Sequence, residues 1–204
     1  MLAGICNAVA CPSATIFDAN PGLLSQETAR LSQSIDHLLL FARYTDGATK
    51  QVHDFAQHDV ADLVEDALER FRPALTELGF DVTMDVPRGL PRVSVDGRGI
   101  VQALEIVIDN AIRYSGETRV VGLTGRPKGQ CVEVTVTDRG IGVRAEDLAH
   151  VFDRFYRGRN AKGSGSGLGL AIARRILRHN GGEIHITSTL DVGTEVACLL
   201  PLAR

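Results

Sequence analysis

Between Gly163 and Ile176 the chain reads GSGSGLGLAIARRI, with Gly163, Gly165, Gly167 and Gly169 at alternate positions before apolar and basic residues at helical spacing. Glycines that run into a helix start leave backbone N–H groups free to converge on an anion. The helix dipole adds to that attraction, and the missing side chains let a phosphate approach closely. The same string would also serve as a flexible connector. It is neither of two common phosphate loops, since the Lys-Ser/Thr of a P-loop is absent and no parallel strand leads into a dinucleotide fingerprint.

Three further strings could complement a phosphate site. In DRGIGV, Asp138 closes an apolar run, and a carboxylate there can accept from an exocyclic amine, which would distinguish adenine from guanine. Gly140 and Gly142 would let the chain turn flat beside a ring, although Asp and Gly also end strands for purely conformational reasons. In DNAIRYS, Asn110 offers a neutral oxygen able to share Mg²⁺ with phosphates, Arg113 lies one helical turn on, and Tyr114 offers a ring. Asn110 and Tyr114 could equally be satisfied polar groups at a helix end. In VFDRFYRGRNAKG, the aromatics Phe152, Phe155 and Tyr156 alternate with Arg154, Arg157, Arg159 and Lys162. The aromatics would anchor a short piece whose basic, glycine-containing tail folds over an anion, unless it is a plain exposed basic loop.

The elements that must hold these strings are legible from periodicity. Leu24, Leu31, Ile35, Leu38 and Ala42, with Thr28 filling the gap, form one narrow stripe suited to a helical bundle seam and a possible homodimer through residues 24–42. A helix is expected over 59–78, with Asp59 as N-cap, Gly79 past its end and Pro73 interrupting the last turns. FDVTMDV alternates as a half-buried strand, and RVSVD could pair nearby. Residues 98–113 read as a buried helix, and TRVVGLT and QCVEVTVTD as a hairpin about an RPKG turn. A short helix near 145–150, a helix from Gly167 to Asn180 and the strands EIHITST and TEVACLL complete the pattern. Helices segregated to one face of a mostly antiparallel sheet make an α+β, two-layer α/β sandwich. The expected segments are 1–20 irregular, 21–47 a dimerisation helix, 48–58 a linker and 59–204 one catalytic domain.

Composition narrows the class. At 204 residues, with 44% hydrophobic and 23% charged, the chain can bury a core, and a net charge of −3 argues against a general nucleic-acid binder. No apolar run approaches the roughly 18 residues of a membrane helix. The opening MLAGICNAVA lacks a basic region, so no signal peptide is expected, and AVAC is only a faint lipoprotein-like string. Cys6, Cys11, Cys131 and Cys198 form no C-x-x-C pair, as expected of reduced cysteines in a cytoplasmic protein, with inner-membrane anchoring of a parent receptor left open.

In this order and at these distances the four strings resemble the N, G1, F and G2 boxes of the ATP-binding domain of bacterial sensor histidine kinases. The wider group includes type II topoisomerases, MutL and heat-shock chaperones. DRFYRG is the string that separates the kinase branch, and ETARLSQSIDHLLLFAR resembles the second helix of the dimerisation and phosphoacceptor hairpin. The resemblance covers about residues 50–204 and implies a Bergerat-type ATP-binding fold. It implies that Asn110 holds Mg²⁺ and that Arg113 and Arg157 neutralise the triphosphate. Tyr114 would pack on adenine, Asp138 would accept from its amine, and Gly140 and Gly142 would border the base. Gly163, Gly165, Gly167 and Gly169 would form the phosphate-side loop and lid hinge, with Lys162 and Leu168 also on the nucleotide. The implied reaction is in-line transfer of the γ-phosphoryl of Mg²⁺-ATP to a histidine, and onward to a response-regulator aspartate.

Two departures stand out. Four positions before Asn110 the kinase pattern carries a polar residue, often Asn; here it is Ile106, and the adjacent Glu105 points about 100° away on a helix. The phosphoacceptor histidine, beside an acid and shortly before Thr/Asn and Pro, has no match among His37, His53, His58, His150, His179 and His185. The expectation is a truncated or downstream-started kinase, or a partner acting in trans on a histidine-bearing domain. A catalytically silent ATP-binding module and an anti-sigma-factor-type serine kinase remain as alternatives.

Overall fold

The computed structural model describes Leu39, residues 54–158 and residues 166–203. The dimerisation stripe expected at 24–42 lies outside the described residues apart from Leu39, as do residues 1–20. Strand β1 (Phe55–His58) leads into α1 (Val60–Glu69) and α2 (Arg72–Glu77), followed by β2 (Asp81–Asp85) and β3 (Val93–Asp96). Helix α3 (Gly97–Tyr114), the hairpin β4 (Val120–Lys128) and β5 (Cys131–Asp138), and α4 (Ala145–Leu148) come next. The chain ends in α5 (Gly169–His179), β6 (Glu183–Thr189) and β7 (Gly193–Pro201).

The main sheet has the order β2-β4-β5-β7-β6, antiparallel throughout except for the parallel β2–β4 edge. Its inward positions alternate with the pleat: Val121 and Leu123 on β4, Val132, Val134 and Val136 on β5, and Val196, Cys198 and Leu200 on β7 are all buried. Helix α3 covers them with Ile100, Leu104 and Ile108, and α5 with Ile172, Ile176 and Leu177. Each of these fully buried branched side chains contributes about 1.5–3 kcal/mol. This is the expected α/β sandwich, with its helices on one face. Burial also pushes the Cys198 thiol up to about 12, which leaves it an inert core residue.

Several local expectations are refined. The segment FAQH, read as the end of a linker, is β1; it pairs antiparallel with β3, from Phe55 opposite Asp96 to His58 opposite Val93. Its local signal is weak because three of its four residues are exposed. The nearby partner of RVSVD is therefore this strand. The helix read as 59–78 is two helices. Asp59 caps the first, accepting from Ala61 N at 2.9 Å, and Pro73 sits in the first turn of the second, where its missing N–H costs nothing. The RPK of the expected turn belongs to β4. The hairpin reverses on Gly129-Gln130, where Gly129 takes φ 61°, the left-handed geometry of a two-residue loop.

The two main helices run antiparallel and are tied at one end by Asn180. This buried side chain accepts from Asp96 N at 2.7 Å, at the start of α3, and donates to Ile176 O at 2.9 Å, in α5. Replacement of Asn180 by Leu removes an acceptor from a part-buried amide, and chemical denaturation should show a loss of about 1–3 kcal/mol.

Candidate functional site

The C-terminal end of α3 meets the turn after β5. Helix α3 reaches Tyr114 without a break, and the turn of DRGIGV crosses its last residue so closely that a methyl on Gly140 would stand 1.8 Å from Tyr114 O. Ile141 N donates to that same carbonyl at 3.1 Å. On its other side the turn is held by β6 and the β6–β7 connection: Asp191 N donates to Ile141 O at 2.9 Å and Val143 N to Ser188 Oγ at 2.8 Å. Gly142, at φ 61°, would place a methyl 2.0 Å from Thr189 O. Only glycine fits at these two positions.

Asp138 sits at the last position of β5, with Gly140 N donating to its Oδ1 at 2.8 Å and Thr194 N supplying a second bond. Burial raises its pKa above the ordinary 3.8, and the two backbone donors pull it partly back. A partly buried carboxylate held by two amides is a fixed acceptor with its direction set before any ligand arrives.

Across the site, α5 begins at Gly169, preceded by Leu168 as its cap residue and by Gly167 at φ 67°. A methyl on Gly169 would lie 3.1 Å from Ile106 Cγ2 and 4.0 Å from Asn110 Nδ2. Asn110 therefore faces the first turn of α5, where free N–H groups and the dipole favour anions. Ile106 lies one turn below it, buried and packed on Gly169. Glu105 is turned toward Arg70 at 2.9 Å, so the acid beside Ile106 is engaged away from Asn110.

The structure thus sets the Asp138 turn, with Gly140 and Gly142, against Tyr114 at the end of α3, and Gly169, after Gly167 and Leu168, against Asn110 on the same helix. Arg113 pairs with Asp109 at 2.9 Å one turn back on α3. Arg157 lies exposed in the segment before the loop, and Lys162, Gly163 and Gly165 lie outside the described residues. Of the histidines, His58 packs its ring against Gly97, His150 contacts Asp153 at 2.9 Å, His185 contacts Glu183 at 3.3 Å and His179 lies tilted beside the Phe55 ring. His37 and His53 lie outside the described residues. Sequence reasoning missed Thr194 and Ser188, which support the turn from β7 and β6; the glycine of DVGTEV was the available signal, since Gly193 passes 2.1 Å, at its missing methyl, from Asp138 O.

Residues 95–204 match the family described as histidine kinase-, DNA gyrase B- and HSP90-like ATPase. The match takes in more than half of the chain, and the protein belongs to that family, with the ATP-binding domain that defines it. Sensor-like histidine kinase SenX3 of Mycobacterium tuberculosis is 35% identical over 178 residues, 86% of this chain and 43% of the relative. The chain thus spans less than half the length of that protein. Among solved structures, full-length ShkA in complex with AMPPNP superposes with a TM-score of 0.74 at 27% identity, over 90% of this chain and 38% of that one. The mycobacterial sensor histidine kinase MprB gives 0.64 at 27%, over 73% of this chain and 99% of that one. No helix of the described residues is long and apolar enough to cross a membrane.

The raised pKa of Asp138 has a consequence for stability. Between the ordinary carboxylate value and its higher native value the folded protein holds the proton more tightly than the unfolded chain. Its contribution is therefore full below pH 3.8 and is lost as pH rises through the native value. Replacement by Asn removes that loss. Melting curves from pH 3 upward should show Asp138→Asn gaining on the parent as pH rises, then a constant difference.

Proposed function

We propose that this chain is the Mg²⁺-ATP-binding catalytic module of a two-component histidine kinase. It transfers the γ-phosphoryl group to a histidine carried by another domain, in trans. The observation that carries this reading is the placement of Asn110 against Gly169 in the first turn of α5, with the partly buried carboxylate of Asp138 in the turn that packs on Tyr114, at the end of the same helix as Asn110. That spacing offers a phosphate site and a purine-amine acceptor on one edge.

Asp138 accepts from the adenine amine, and Gly140 and Gly142 leave room for the ring beside Tyr114. The N–H groups around Gly167, Leu168 and Gly169 receive phosphate oxygens, joined by Lys162, Gly163 and Gly165. Arg113, exchanging Asp109 for phosphate, and Arg157 neutralise the triphosphate. A neutral amide oxygen among phosphates suits Mg²⁺, and Asn110 is the residue that would hold it; the ion, when bound, neutralises the phosphate charge. The acceptor imidazole nitrogen attacks the γ-phosphorus in line, the bond to the β–γ bridging oxygen breaks, and ADP leaves. The acceptor passes its phosphoryl group to a response-regulator aspartate. ShkA, solved with AMPPNP, supports a triphosphate in a related site. A second reading, ATP binding without turnover, draws on Ile106, which places an apolar side chain where the kinase pattern has a polar one.

Calorimetry should show heat with Mg²⁺-ATP. Asp138→Asn should weaken binding about tenfold or more, because the amide that holds its oxygen on Gly140 and Thr194 turns an N–H donor toward the purine amine. Unchanged affinity would remove the adenine assignment.

The isolated chain incubated with γ-labelled ATP should acquire no acid-labile label, while a histidine-bearing hairpin domain added in trans should. Label on the chain itself would refute transfer in trans, and binding with no label on either protein selects the silent module.

A further inference from the structure

The geometry points to Asp147 as a positioning residue that sets where Arg157 emerges toward the nucleotide. Asp147, on the short helix α4, is 5% exposed, and its Oδ1 accepts from the Tyr156 hydroxyl at 2.6 Å. Its Oδ2 is buried and has no hydrogen-bond partner among the described residues. A buried carboxylate with an unmet oxygen is costly, and a leucine or an asparagine would satisfy packing at lower cost.

What the carboxylate touches gives it a use. Tyr156 and Gly158 both bear on it: beside the tyrosine bond, a methyl on Gly158 would stand 3.3 Å from Asp147 Oδ2. Arg157, the residue between them, is exposed. One hydrogen bond before Arg157 and a close backbone approach after it thus bring both of its neighbours against the same carboxylate. Two residues before Arg157 the backbone is also held in an uncommon geometry. Phe155 takes φ 63°, and its N–H donates to Gly167 O at 2.9 Å, so the chain on this side is clamped to the residue that leads into α5. A non-glycine residue in the left-handed region persists only where its surroundings over-determine it. His150 adds a second support, with its ring 5.4 Å from that of Tyr156 and its Nδ1 2.9 Å from Asp153. The Asp147–Tyr156 bond and the Phe155–Gly167 bond thus tie the two residues before Arg157 to α4 and to Gly167, which leads into α5.

This inference rests on the reading of Arg157 as a phosphate-neutralising side chain. Its test is calorimetric titration of the full chain with Mg²⁺-ATP, alongside melting curves, for Asp147→Ala, Asp147→Asn, Tyr156→Phe, Arg157→Ala and the double variant Asp147→Ala/Arg157→Ala. Asp147→Ala and Tyr156→Phe should each weaken binding about tenfold, as expected for a misplaced charge-assisted contact. Asp147→Asn should recover most of it, since its oxygen still accepts from the tyrosine. The double variant should bind no worse than Arg157→Ala alone, because the carboxylate acts through the arginine. Tyr156→Phe removes one hydroxyl and keeps the ring, so it decides the matter even if Asp147→Ala does not fold. Additive losses, or parental affinity in folded Tyr156→Phe, would overturn the positioning role and leave the proposed function standing. Absence of heat with the parent chain overturns both.

Discussion

The approach of the turn after β5 to the end of α3 is the constraint on which the rest of the site depends. The two backbones come so near at Gly140 and Tyr114 that no side chain fits between them, and at Gly142 the same is true of the β6–β7 connection. A turn clamped from both sides has one conformation. It holds Asp138 at the end of the central strand under two backbone donors, one from within the turn and one from β7 across the register. A slip of one residue between β5 and β7 would take away Thr194 N and invert the pleat, so the sheet register and the acceptor's direction are one decision.

The second half of the site follows from how α3 and α5 lie on the sheet. Asn180 joins the start of one to the end of the other, which leaves the C-terminal turns of α3 beside the N-terminal turn of α5. The positive end of one helix dipole then faces an amide side chain of the other. Ile106 fills the space beneath them and closes on Gly169. The apolar residue is therefore part of the packing between the helices, and Glu105, drawn off by Arg70, does not supply the missing polarity.

The segment from Val151 to Gly158 shows how an exposed basic string is tied to a rigid body. Arg174 stacks over the Phe152 ring at 5.1 Å and donates to Phe152 O at 3.2 Å. Phe155 is bonded to Gly167, and Tyr156 to Asp147. The arginines therefore stand on a base fastened at three points, to α4, to α5 and to Gly167.

Much of this was legible in the sequence because it is local. The period-two runs of β4 to β7, the four-residue steps of α3 and the capping residue Asp59 state their own geometry in neighbouring residues. The glycines at 140, 142, 167 and 169 announce that backbone must come close to something. What they come close to is not local. Nothing within FAQH says that it pairs with residues near 95, nothing beside Arg113 says that Asp109 will hold it, and nothing in AEDLAH says that a tyrosine nine residues on will reach Asp147. Propensity and periodicity are written over a few successive residues, so the chain by itself determined the elements and the demand for bare backbone. The partners of those elements and side chains are distances through space, and only the packed sheet and helices decided them.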